Sequence, residues 1–140
     1  MNMRPLTPDE ETALTRALLE IQRRTGAKST TTLEHLVQRW SRFVEEIERG
    51  YKLSIYDYTN DLCVRDILDD VIELVPESLR GDIRTELSAW DDRYRLATKP
   101  SAAPLLPGED VVGQARWHRV PRLLDGELKD DLISEGVVAE

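Results

Sequence analysis

Thr31-Thr32-Leu33-Glu34-His35-Leu36-Val37-Gln38-Arg39-Trp40-Ser41-Arg42-Phe43-Val44-Glu45-Glu46-Ile47-Glu48-Arg49-Gly50 is the stretch on which the fold turns. Leu33, Leu36, Val37, Trp40, Phe43, Val44 and Ile47 recur every three or four residues, so a helix places them on one broad apolar stripe. Thr31 and Glu34 have the spacing of a capping box, and Gly50 suits the left-handed position that closes a helix. A helix this two-sided must bury its stripe against other helices of the same kind.

The flanking segments supply them. Upstream, Thr7-Pro8-Asp9-Glu10 combines a cap, a proline at the first helical position and a glutamate that completes a capping box. Leu14, Ala17, Leu18 and Ile21 then form one face, ended by Gly26. Downstream, Ser54 and Asp57 open a third helical region. Its apolar phase shifts from Ile55, Tyr58 and Leu62 to Val64, Ile67, Leu68, Val71, Ile72 and Val75, which fits either a bend near Asn60 and Asp61 or two abutting helices. Pro76 sets its latest end. A fourth helix starts between Pro76 and Ser78 and aligns Leu79, Ile83, Leu87, Trp90, Tyr94 and Ala97.

The fold class expected is all-α: a compact four-helix or five-helix bundle with an irregular C-terminal extension. The helical domain runs over 7–98. Residues 99–140 form a proline-containing strap or tail, because Pro100, Pro104, Pro107 and Gly108 break the helical period. Within it Val111, Val112, Trp117, Val120, Leu123 and Leu124 precede a short terminal helix after Asp125. One core is expected from Leu36, Trp40, Phe43, Ile47, Leu68, Val71, Ile72, Ile83, Leu87 and Trp90.

Formal net charge is -8. Residues 1–50 balance their charges, so the acidity belongs to the later chain, and such a surface repels phosphate backbones. No apolar run approaches the roughly 20 residues of a membrane span. Cys63 is the lone cysteine, which excludes an intramolecular disulfide. Met1-Asn2-Met3-Arg4-Pro5 lacks the basic-then-apolar order of a secretory leader, and a cytoplasmic location is expected.

Signatures of chemistry are scarce. There is no glycine-rich phosphate loop, no G-x-S-x-G elbow and no H-E-x-x-H segment. One cysteine and the distant His35 and His118 do not make a zinc set, and Glu-x-x-His elements of di-iron bundles are missing. No catalytic residue, cofactor or metal is therefore expected. Cys63, between Leu62 and Val64, reads as a core or half-buried thiol.

Three surfaces remain as candidates for binding protein. Asp66, Asp70 and Glu73 share one side of the third helix and suit a basic partner, although a solvated helix face is the plainer explanation. Tyr51 and Tyr56 are free of the core phase and suit an outward contact, or else anchor the turn. Trp117-His118-Arg119-Val120-Pro121-Arg122 is a basic segment with one aromatic. Trp117 and Arg119 suit a partner's surface, or Trp117 and Val120 dock on the bundle and set the arginines against the acidic third helix.

The leading functional expectation is a non-catalytic protein-binding or regulatory module, an acidic inhibitor or antidote-like protein acting on a basic partner. The alternatives are a small helical enzyme with an unrecognised site and a structural or assembly protein. A homodimer is compatible with the sequence without being required by it.

Overall fold

A computed structural model describes residues 3–101, 105 and 117–138. They form a compact, mostly helical arrangement of five helices with a small strand-bearing C-terminal extension. Val111 and Val112, with the rest of residues 102–104 and 106–116 of the strap, lie outside the described residues.

α1 (Pro8–Thr25) begins with the capping box read from the sequence, Thr7 and Glu10 bonding each other's backbone N–H, and ends at Gly26 with φ 71°. Glu10 does more than cap. Two nitrogens of Arg4 donate to its carboxylate at 2.8 and 2.7 Å, and the Ser78 hydroxyl donates at 3.1 Å. Those bonds tie the start of α1 to the start of α4 (Glu77–Ala97) and hold the Glu10 pKa well below the usual glutamate range, Arg4 contributing most.

α2 (Leu33–Arg49) buries all seven apolar residues of its stripe. Its cap is Thr32, one residue later than the Thr31–Glu34 spacing implied: the Thr32 hydroxyl accepts from His35 N–H. Thr31 keeps a buried hydroxyl without a hydrogen-bond partner among the described residues.

α3 (Ile55–Leu74) is one uninterrupted helix, with neither a junction nor a second cap at Asn60 and Asp61. The phase shift has another cause. α3 is the central element, packed against α1, α2, α4 and α5 (Gly126–Ser134), and it buries residues on several sides. A helix with neighbours around it has no single apolar stripe.

β1 (Thr98–Pro100) follows α4 directly and pairs antiparallel with β2 (Arg119–Pro121), Thr98 opposite Pro121 and Pro100 opposite Arg119. This ribbon was not expected from the helical periodicities. The chain then crosses to Tyr51, which bridges Leu124, and enters α5 through Asp125. Gly126 has φ 58°, and a Cβ there would lie 2.8 Å from the Lys52 carbonyl oxygen, so only glycine fits this entry. Asp131 fastens α5 by accepting from Ile55 N–H at 2.9 Å.

Of the expected core, Leu36, Trp40, Phe43, Ile47, Leu68, Val71, Ile72, Ile83 and Leu87 are buried, whereas Trp90 is only half-buried and carries Arg93 4.4 Å over its ring. Its place near the core is taken by Tyr94 and Trp117. Trp40 lies 4.9 Å from Tyr94 and 5.8 Å from Trp117, ring centre to ring centre, and Phe43 joins this cluster to Tyr51 and Tyr58.

Candidate functional site

The most organised polar group in the molecule lies where α2, α3, α4 and the segment before β2 meet. Arg65 is buried, 3% exposed, and its guanidinium grips Asp91 with a fork: Nε donates to Oδ1 and Nη2 to Oδ2, both at 2.9 Å. Nη1 donates to Asp69 at 2.7 Å. Trp40 donates its indole N–H to Asp91 at 3.0 Å, and Trp117 donates its own to Asp69 at 2.8 Å. The Arg65 guanidinium also stands 4.2 Å from the centre of the Trp117 ring. Burial opposes the arginine's charge, but Asp91 and Asp69 outweigh it and raise its pKa.

This network uses its atoms up. Both Asp91 oxygens, both Asp69 oxygens and three nitrogens of Arg65 are engaged within the protein, so the group clamps four segments together, and Arg65, Asp69 and Asp91 also line the adjoining cleft. Two tyrosines extend the clamp to the strap: Tyr58 donates to the Arg119 carbonyl and Tyr94 to the Trp117 carbonyl. Burial raises the pKa of both phenols, which keeps them neutral donors.

Above the clamp, α3 and α4 bound a cleft of about 490 Å³ whose walls carry both signs of charge, including Glu73 and Asp92 facing Arg80, Arg84 and Arg95. Arg80 spends its side chain on the Glu73 and Val75 carbonyls, closing the end of α3. Among the described residues, no group of three or more His, Cys, Asp or Glu is arranged to hold a metal ion.

The residues singled out from the sequence separate into two sets. Asp66 and Asp70 are partly exposed and Glu73 is exposed, and their spacing sets them along the outward side of α3. Asp70 has its pKa raised, first by burial and then by Glu73, Asp66 and Asp69, against a lowering by Arg24. Asp66 lies 3.8 Å from His118 Nε2. Tyr56 is 66% exposed, as an outward contact requires.

Tyr51 and Trp117 are interior and correct the expectation of outward contact, and Arg119 is partly exposed with its side chain spent inside the protein. Tyr51 is 1% exposed and donates its hydroxyl to Asp61 at 2.7 Å. Trp117 and Val120 are both buried, as the intramolecular alternative required. The Arg119 guanidinium donates to the Thr98 hydroxyl and carbonyl across the β-ribbon and makes no ion pair with an α3 carboxylate among the described residues. Cys63, read as a core or half-buried thiol, is exposed, with its thiol 3.3 Å from the Thr59 carbonyl.

Sequence reasoning missed the Arg65–Asp91 pair. A signal existed: Arg65 sits at the helical spacing of Leu62 and Leu68, and Asp91 at that of Leu87 and Tyr94, so each charge occupies a position whose neighbours are core. Leu96 and Leu123 were also passed over as surface features, and they are 78% and 52% exposed. No family model, curated protein or solved structure matches the chain. No helix of the described residues is long and apolar enough to cross a membrane.

Proposed function

We propose that the protein is a non-catalytic binding module, an acidic inhibitor or antidote in its chemistry, that offers Asp66, Asp70 and Glu73 to a basic protein partner in the cytoplasm. One observation carries the reading. Arg65 is the only basic residue of α3, and it is turned inward and shared by Asp69 and Asp91, so the outward carboxylates have no cation on their own helix. Burial raises the Asp70 pKa first, and the neighbouring Glu73, Asp66 and Asp69 add to it against Arg24. A partner's lysine or arginine would relieve it, and the resulting field would act chiefly on the rate of encounter. The lone, exposed Cys63 thiol suits a reducing compartment.

The test compares wild type with the triple variant Asp66→Asn, Asp70→Asn, Glu73→Gln. Both are used as bait in native extract, and any protein captured by wild type is then measured by stopped-flow association at low and high salt. The expected result is slower association and a shallower salt dependence for the variant, with unchanged folding. Equal rates and equal salt slopes sink the proposal.

A further inference from the structure

At the end of the molecule where α2 and α4 finish, Leu96 and Leu123 stand side by side. With Ile47 and Ala97 they line an apolar groove of about 280 Å³. Leu96 is the most exposed large apolar side chain among the described residues. Leu123 is held in place, because its side chain packs against Gly50, where an added Cβ would lie 3.5 Å from it. The Arg122 N–H donates to the Ala97 carbonyl at 2.9 Å, so the ribbon fixes the two leucines relative to each other.

The charge around this groove runs against that of the whole chain. Arg95 pairs with Asp92 and lines the α3–α4 cleft, and Arg119 bonds Thr98, so the cations left for this groove are Arg93, Lys99 and Arg122. Among the described residues Glu48 is the only acid lining the groove, and Arg93 neutralises it with two hydrogen bonds. Arg122 is exposed and has no ion pair among the described residues, and Lys99 is exposed on the adjoining strand. At physiological salt a charge is felt over about 8 Å, so a ligand in the groove meets Arg122 and Lys99, together with Asp125, which lies beside Leu123 and faces Lys52 at 3.9 Å.

We propose that this corner is a second docking surface, for an acidic amphipathic helix of another protein whose apolar side chains seat on Leu96 and Leu123 and whose carboxylates meet Arg122 and Lys99. A nucleic acid fits less well, because the one aromatic of the basic segment, Trp117, is buried and offers no stacking face. A membrane surface fits less well again: two leucines bury little in lipid, and the chain carries -8. This surface is separate from the α3 carboxylates and does not depend on them.

The experiment pans random phage-displayed peptides against the immobilised full chain, with Leu96→Asp as counter-selection and light scattering on the unliganded protein. Leu96 is exposed, so the variant is expected to melt like wild type, which circular dichroism checks. Peptides kept by wild type and lost by Leu96→Asp are expected to space leucine-like residues helically among an excess of Asp and Glu. A synthetic version of such a peptide should bind about tenfold more weakly to Leu96→Asp and to Arg122→Glu, and equally well to the α3 triple variant. The proposal is overturned if no peptide is enriched, if the enriched peptides are basic or indifferent to Leu96, or if wild type is a dimer that Leu96→Asp dissolves. In that last case the groove belongs to a second copy of the chain.

Discussion

Asp91 is the residue on which most of the interior polar chemistry converges. It accepts from Arg65 twice and from Trp40 once, with only 11% of its side chain exposed. Removing it leaves a buried guanidinium with one carboxylate and an indole N–H with none. Asp91→Ala is therefore expected to cost about 3–5 kcal/mol in urea unfolding. Replacing both partners with apolar residues, Arg65→Met with Asp91→Leu, is expected to recover most of that loss, since the penalty comes from the abandoned charge more than from the pair. A double variant as unstable as the single one would contradict this account.

Glu10 makes a different prediction, about pH. Its folded pKa lies below the ordinary 4.5, so the unfolded chain binds the proton more readily. Its contribution is present in full above the ordinary value and is lost as pH falls through the folded value. The stability gap between wild type and Glu10→Gln should thus be constant above about pH 5.5 and shrink progressively below about pH 4.5 in melts run across that range. A gap that widened on acidification would reverse the sign and refute the Arg4 bond as its cause.

At the scale of elements, the caps and the central helix can be tested one by one. Thr32 holds His35 N–H at the start of α2, whereas the neighbouring Thr31 hydroxyl is buried without a partner among the described residues. Thr32→Ala should cost about 1 kcal/mol, and Thr31→Ala should be near neutral or slightly stabilising, as read from thermal or urea midpoints. The reverse order would return the cap to Thr31. In α3, the apolar phases that looked like a break are the buried sides of one helix with α1, α2, α4 and α5 around it. Where a helix is surrounded, periodicity stops reporting its boundaries, but the caps at Ser54 and before Pro76 still do.

For the whole molecule, the clamp makes the C-terminal extension part of the same cooperative unit as the helices. Trp117 joins the aromatic cluster of Trp40 and Tyr94 and is bonded to Asp69 on α3, so the strap cannot lift without opening the core. Unfolding followed by far-ultraviolet circular dichroism and by tryptophan fluorescence should give coincident midpoints. An earlier fluorescence transition would show the strap detaching first.

Much of this arrangement is written in local spacing. The stripe of α2, the capping boxes at Thr7 and Ser54, the stop at Pro76 and the start of α5 after Asp125 all depend on residues within a turn or two of one another, and periodicity and capping chemistry are local interactions. The outward position of Asp66, Asp70 and Glu73 depends also on which sides of α3 its four neighbouring helices cover. What only the tertiary structure decided is which distant groups meet. Arg65 finds Asp91 across 26 residues, Trp117 finds Asp69 across 48, and Leu96 comes beside Leu123 through the β-ribbon. Those pairings turn Trp117 and Tyr51 from surface candidates into core and leave the exposed Leu96 and Leu123 together beside Arg122. Burial and pairing of charge depend on the packing of whole elements, and no interval along the sequence encodes which faces will be brought together.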